Sequence, residues 1–435
     1  MHAALRAGYR AAGSVATALA AVAPVRAHPK WVHALAARRG VLARMAAWGA
    51  AHRDRTRPLL WVHAASVGEG LQARAVLERV RHLRADVQIA YTHFSPSAER
   101  FAESLVQGGV ADVADYLPFD TVAAADALLD ALAPRALVFA KLDVWPILVE
   151  RAGARGVRLG MVSATVRARS GRRTPVAATL LRDAYAKLTT VGAIAPEDAE
   201  RLMALGVPSA TITVTGDTRY DQVWSRAQAA LDAAHKLLPA SQSPDWAKRP
   251  TIIAGSTWPP DEAVLLEAWD PTRFRLIIAP HEPTEAHLRS LERWAHAHDV
   301  TCVRLSRSSS VSEKKFAAHA ILVDTVGVLA DLYAIADIAY VGGGFHRAGL
   351  HSVLEPAACG VPVIMGPQVD SRDAELLLTA HAAHIVRTSA ELATQISSWM
   401  TLTDKRRAAG GRAREVVAHG LGAADRSATL VAAML

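Results

Sequence analysis

The chain has 435 residues, of which 51% are hydrophobic and 21% charged, a balance that excludes a disordered or fibrous protein and exceeds what a single core can serve. Its two cysteines, Cys302 and Cys359, cannot form a disulfide framework, and no CxxC pair is present to hold a metal, so a reducing compartment is expected. Net charge is +8, but residues 1–57 hold ten Lys/Arg against Asp54 alone, and the rest of the chain is net −1. The folded body therefore lacks the basic surface that a nucleic-acid partner needs.

The first element is an Ala/Val/Leu run from Ala11 to Val25, between Arg10 and Arg26. It is shorter than the roughly 20 apolar residues of a membrane span and is broken by Pro24. Arg6 and Arg10 ahead of such a run also fit a secretory signal, yet the residues that follow stay basic, with Trp31 and Trp48 among the arginines. The arm is read as one or two amphipathic helices on an anionic membrane surface. An Ala-rich helix packed on the first domain is the competing reading.

Past Thr56, short apolar runs alternate with longer amphipathic stretches. The runs at 58–63, 87–93, 135–140, 157–163, 188–194 and 210–216 read as buried parallel strands. A polar, Ala-rich stretch from Ser225 to Arg249 reads as a connection. The alternation restarts at 251–256, 275–280, 300–305, 320–324, 338–344 and 361–366, and Asp404–Leu435 reads as helical. This order gives an α/β protein of two doubly wound halves, with ligands expected in a cleft at the carboxyl ends of the strands.

Four loops at those ends carry chemistry. His63–Gly70 (HAASVGEG) turns on small residues and puts Glu69 in the first turn of a helix, where it either complements the helix dipole or acts as a general base. In Gly255–Glu262 (GSTWPPDE), Ser256 or Thr257 is expected as N-cap, with Pro259–Pro260 opening the helix, an arrangement suited to phosphate. Ala279–Pro283 (APHEP) offers His281. Tyr340–Pro367 is the strongest: Gly342, Gly343 and Gly344 allow close backbone approach to a phosphate, and His351 and Ser352 open a helix that carries Glu355. Neither GxGxxG nor GxxxxGK[ST] occurs, which disfavours dehydrogenase and P-loop chemistry.

Together these loops resemble the Kdo transferases of the glycosyltransferase-B superfamily. The carrying motifs are WVHAASVGEG (61–70), KLDVWP (141–146), TGDTRYD (215–221), GSTWPPDE (255–262), APHEP (279–283) and GLHSVLEPAACGVPVIMGP (349–367). The resemblance implies two Rossmann-like domains facing a central cleft. It also implies inverting, metal-free and cofactor-free transfer of 3-deoxy-D-manno-octulosonic acid (Kdo) from CMP-Kdo to the lipid A precursor lipid IVA, in lipopolysaccharide synthesis. The partners would be CMP-Kdo, that glycolipid and an anionic membrane surface, at the cytoplasmic face of a bacterial inner membrane. Glu69 inherits the general-base role. Substrate and nucleotide binding fall on Ser66, Gly68, Lys141, Asp143, Ser256, Thr257, His281, Gly343, Gly344, His351, Ser352 and Glu355.

The expected layout is an arm (1–57), an acceptor-binding domain (58–224), a linker (225–249) and a CMP-Kdo-binding domain (250–435) whose last helix is placed to pack back on the first domain. Two departures from the family pattern stand out. Lys141 and Asp143 replace an acidic pair found in many members, and Leu350–His351–Ser352 replaces a GHN-type triplet. The RARSGRR segment (167–173) is either a phosphate-attracting cluster or a solvated loop. Other readings kept are a related transferase or epimerase using a uridine nucleotide sugar, and a non-catalytic nucleotide-binding protein at a membrane surface. Glu69 and the glycine loop argue against the last.

Overall fold

The computed structural model describes residues 3–22, 30–167, 170–243, 246, 248–306 and 318–435; Pro24, Arg26 and Arg169 lie outside the described residues. The chain divides into two units, one running to Gln222 and including Leu421–Leu435, the other Val223–Gly420.

The first unit is built on a seven-stranded sheet of β1 (Leu59–His63), β2 (Gln88–His93), β3 (Val113–Tyr116), β4 (Ala136–Ala140), β5 (Arg158–Ala164), β6 (Thr190–Ala193) and β7 (Ile212–Val214). The order is β3-β2-β1-β4-β5-β6-β7, and every pairing is parallel. Side chains alternate across a strand, so Leu59 and Trp61 enter the core layer that holds Phe139, while Leu60 and Val62 enter the one that holds Tyr91 and Met434. Cover on both faces explains why a central strand such as β4 is continuously apolar. The helices are α1 (Ala3–Val22), α2 (Lys30–Ala36), α3 (Val41–His52), α4 (Val67–Leu83), α5 (Glu99–Gln107), α6 (Val122–Leu132), α7 (Pro146–Ala154), α8 (Pro175–Tyr185) and α9 (Pro196–Leu205), and α10 (Thr218–Leu237) begins in this unit and belongs to the second from Val223 on.

Six of the arm's described arginines are engaged by other groups of the first unit. Arg6 pairs with Glu150, Arg44 with Asp115, and Arg53 donates to the carbonyls of Leu132 and Ala133. Arg55 and Arg57 reach the carbonyls of Asp130 and Asp86. Arg38, 6% exposed, lies 3.8 Å over the Phe94 ring and donates to Leu117 O. These side chains follow the competing reading, a helical layer packed on the first unit. α1 nevertheless leaves Arg10, Val15 and Leu19 exposed. No helix among the described residues is long and apolar enough to cross a membrane.

The second unit repeats the plan with β8 (Thr251–Thr257), β9 (Arg275–Pro280), β10 (Cys302–Arg304), β11 (Ala320–Leu322), β12 (Ile338–Val341), β13 (Val363–Met365) and β14 (Ala383–Ile385). Their order is β10-β11-β9-β8-β12-β13-β14. The helices are α11 (Pro259–Ala268), α12 (Glu285–Ala297), α13 (Leu329–Leu332), α14 (Leu354–Ala358), α15 (Arg372–Thr379), α16 (Ser389–Thr401) and α17 (Thr403–His419). The stretch from Ser225 that reads as a connection is largely helix, because α10 continues to Leu237. The chain then returns to the first unit as α18 (Ala423–Ala432), where Asp221 accepts from the amides of Gly422 and Ala424 at 2.8 and 2.9 Å.

In each sheet the strand order reverses beside the first strand, between β1 and β4 and between β8 and β12. The loops leaving those strands flank the switch points at which open α/β sheets bind ligands. They are the segments that contain Glu69, Lys141, Ser256 and Gly343.

Candidate functional site

In the first unit, Ser66 is the N-cap of α4 and its hydroxyl accepts from Glu69 N at 3.5 Å. The Glu69 carboxylate turns back and accepts from Ala65 N at 3.0 Å. The local sequence thus fixes the carboxylate at the helix start, half-buried, with Oε2 bonded to that amide. Gly68 is exposed, and a Cβ placed on it meets nothing within 4 Å; at Gly70 the same atom would lie 2.4 Å from Phe101 and 2.7 Å from the Tyr91 hydroxyl. Gly70, not Gly68, is the glycine that packing requires.

Lys141 follows β4 in a left-handed conformation, φ 60°, and donates its amide to Val162 O at 2.9 Å. Burial lowers its ammonium pKa, and the nearby charge of Glu69 works against that. Asp143 pairs with Arg172 at 2.5 Å and lies 3.7 Å from His63 Nε2. Burial pushes its carboxyl pKa up, but the hydrogen bond and charge of His63 and the pairing with Arg172 outweigh it, so the net shift is down. Arg172 of the RARSGRR segment is therefore tied to Asp143 and is not a free solvated side chain.

Two residues that the motifs did not single out support this loop. His63 is fully buried at the end of β1, with Nδ1 3.1 Å from Thr92 Oγ1 and the ring edge-on to Trp145. Asp120 accepts from the amides of Ile147 and Leu148 at 2.9 and 2.8 Å and so caps α7 directly behind the Lys141–Trp145 segment. Sequence spacing gives no signal for either, since the partners are distant in the chain, Thr92 on β2 for His63 and the first turn of α7 for Asp120.

In the second unit the expected cap is corrected. Ser256 has φ 54° at an irregularity between β8 and β9, and Thr257 is a buried strand residue whose hydroxyl donates to Glu262 Oε1 at 2.7 Å. Trp258 occupies the N-cap position of α11, and its amide donates to Asp261 at 3.0 Å. Pro259 and Pro260 do open the helix. Glu262 also meets His287 Nε2 at 2.8 Å, so the Thr257 hydrogen is already engaged.

Asp261 is the residue that sequence reasoning missed here. Fully buried, it accepts from Gly343 N at 2.8 Å and Phe345 N at 3.0 Å. The glycines are needed for backbone crossings within the protein: Cβ atoms on Gly342, Gly343 and Gly344 would meet Ser256 O at 2.3 Å, Gly349 O at 2.1 Å and Gly366 N at 2.5 Å. These internal crossings require the glycines whether or not a phosphate approaches them. His281, exposed, stacks 4.7 Å from Trp258 and 4.4 Å from His351. His351 accepts at Nε2 from Trp258 Nε1 at 3.1 Å, and burial and His281 lower its pKa. Ser352, exposed, accepts from Leu354 N at 3.4 Å, and α14, which was expected to open at His351, begins only at Leu354. Glu355 lies in its first turn, where its charge acts on Tyr333 and Arg226. Among the described residues, no group of three or more His, Cys, Asp or Glu is placed to hold a metal.

The first unit thus brings together Ser66, Glu69, Lys141 and Asp143, and the second gathers Ser256, His281, Gly343, Gly344, His351, Ser352 and Glu355. Residues 33–222 match the family described as 3-deoxy-D-manno-octulosonic-acid transferase (kdotransferase). The 3-deoxy-D-manno-octulosonic acid transferase of Chlamydophila psittaci is 29% identical over 332 residues, 75% of this chain and 74% of that protein. In fold the chain is similar to the UDP-GlcNAc 2-epimerase of Neisseria meningitidis, with a TM-score of 0.57 at 14% identity over 84% of this chain and 99% of that one. The 3-deoxy-D-manno-octulosonic acid transferase of Bordetella pertussis is 30% identical over 384 residues, 85% of each chain, and with that extent of likeness this chain belongs to the 3-deoxy-D-manno-octulosonic acid transferase family of glycosyltransferases.

Proposed function

We propose that the chain transfers Kdo from CMP-Kdo to a phosphorylated glycolipid of the lipid A precursor type, lipid IVA, with inversion and without a metal. Glu69 is the general base. It takes the proton of an acceptor hydroxyl, the oxygen attacks the anomeric carbon, and CMP leaves with the electron pair of the bond it held. The observation that carries the reading is the Glu69 carboxylate itself, fixed at the start of α4 by Ala65 N at the switch point of the first sheet. Ser66, Gly68, Lys141 and Asp143 stand at the same strand ends and form the acceptor side; Lys141 is the cation there suited to an acceptor phosphate.

The donor side is the second unit. Glu355 accepts ribose hydroxyls, His281 and His351 meet the nucleotide, and Ser256, Gly343, Gly344 and Ser352 shape the backbone around it. Thr257 shapes that backbone too, its hydroxyl being held by Glu262. The exposed Arg10, Val15 and Leu19 of α1 provide basic and apolar surface for an anionic leaflet at the cytoplasmic face of an inner membrane.

The test is product mass analysis after incubation with CMP-Kdo and lipid IVA. A Kdo adduct from the wild type and its loss in Glu69→Gln, which retains an acceptor for Ala65 N, are the expected results. Equal turnover by the two proteins would remove Glu69 as base. Tighter binding of UMP than of CMP would move the donor to a uridine nucleotide sugar.

A further inference from the structure

Asp261 leaves the glycine loop with little to offer an anion, because its carboxylate already holds the amides of Gly343 and Phe345. Positive charge at this edge of the second sheet must then come from side chains, and three imidazoles stand there. The Trp258 indole lies between His346, 4.2 Å away at 14°, and His281, 4.7 Å away at 29°. His281 is in turn 4.4 Å from the His351 ring at 28°. The stack is accessible, with His281 exposed and His346 and His351 half-buried. His346 lies outside every motif that carries the family resemblance.

The indole packs nearly parallel to both the His281 and the His346 ring and holds the two in place. Asp261, from α11, adds a fixed negative charge. Mutual repulsion acts the other way: His351 faces His281 from the end of β9 and His346 from its own loop, and these rings and burial disfavour its charged form. Nε2 of His351 also accepts from Trp258, so that nitrogen carries no proton there. The His351 ring is therefore held short of a proton. A phosphate against it offsets the repulsion and draws a proton in.

We propose that His346, together with His281 and His351 on the Trp258 platform, is an anion-binding cluster for the phosphate of the donor nucleotide, and that binding is coupled to proton uptake. This rests on the donor reading above for the identity of the nucleotide, not for the presence of the anion site.

Isothermal titration calorimetry of the full chain with CMP, cytidine and inorganic phosphate, in two buffers of different ionisation enthalpy, tests it. The wild type is expected to take up protons on binding CMP. His346→Gln is expected to lower CMP affinity about tenfold, the scale of one charge-assisted hydrogen bond, to reduce the proton uptake, and to leave cytidine affinity and thermal unfolding as in the wild type. Unchanged CMP affinity and proton uptake overturn the proposal. So does an equal loss of CMP and cytidine affinity, which would make His346 a shaping residue only. If the wild type binds phosphate in a His346-dependent way but prefers UMP to CMP, the donor reading falls and the anion cluster stands. If it binds neither CMP nor phosphate, both fall.

Discussion

The Tyr9 hydroxyl donates a 2.9 Å hydrogen bond to Asp120, the carboxylate that also accepts from the amides of Ile147 and Leu148. Burial pushes both acids up from their ordinary pKa values, so each depends on its partners. The contact joins the N-terminal helix to the helix that follows the Lys141–Trp145 segment, and Arg6 with Glu150 makes a second tie to the same helix. Tyr9→Phe removes one of three donors and is expected to cost about 1 kcal/mol. Asp120→Ala leaves two helix-start amides without their acceptor and is expected to cost about 3 kcal/mol. Urea unfolding measures both, and an Asp120→Ala protein as stable as the wild type would show that the tie carries no load.

Glycines at the two candidate sites separate by the same reasoning. Gly68→Ala enters open space in a helical turn and is expected to stabilise by about 0.5 kcal/mol, so any loss of transfer in that variant reports on substrate binding. Gly70→Ala forces a methyl group toward Phe101 and Tyr91 and is expected to cost about 2 kcal/mol. Gly343→Ala meets the Gly349 carbonyl at 2.1 Å with φ +92°, where neither backbone can yield, and is expected to cost more than about 3 kcal/mol. Thermal melts that rank the three in any other order would contradict the backbone crossing.

The central strands such as β4 were legible because burial on both faces makes them apolar runs. The two missed, β3 and β14, are sheet edges, short enough that Asp115 in VADY and His384 in AHI break the pattern. Glu69 at a helix start and the Pro259 helix opening were readable because their causes lie within a few residues. Asp261 was not, since its decisive partner Gly343 is 82 positions away. For the arm, composition counts arginines but does not show the carbonyls and carboxylates of the body that receive several of them.

His93, 1% exposed, stacks at 4.1 Å on Tyr116 and donates Nδ1–H to Ser95 O at 3.1 Å. Burial pulls its pKa down to about 4 from the ordinary 6.5. Above pH 6.5 the ring is neutral in folded and unfolded chains, and its contribution is fully present. As pH falls from 6.5 toward 4 the unfolded chain takes the proton and the folded one does not, so stability declines, by about 3 kcal/mol at the limit. Unfolding free energies measured across that window should fall more steeply for the wild type than for His93→Gln. Parallel slopes would mean that the folded ring titrates normally.

Removing residues 1–57 should not simply free a soluble body. Val41 and Met45 of α3 are 1% and 0% exposed and belong to the core layer of Leu128, Leu129 and Phe139, and burying side chains of that size stabilises by about 2 kcal/mol each. Arg38 over Phe94 and Arg53 on the Leu132 carbonyl are lost with them. The expected outcome is a chain that aggregates or melts well below the full protein in a circular dichroism scan. Removing only residues 1–29 keeps α2 and α3 and severs the Tyr9–Asp120 and Arg6–Glu150 ties. That shorter deletion should fold with a modestly lower melting temperature and lose affinity for anionic liposomes if the exposed face of α1 is the point of attachment. Undiminished liposome binding by the folded shorter chain would place the attachment elsewhere, and an unaltered melt after the longer deletion would show that α3 is not part of the core.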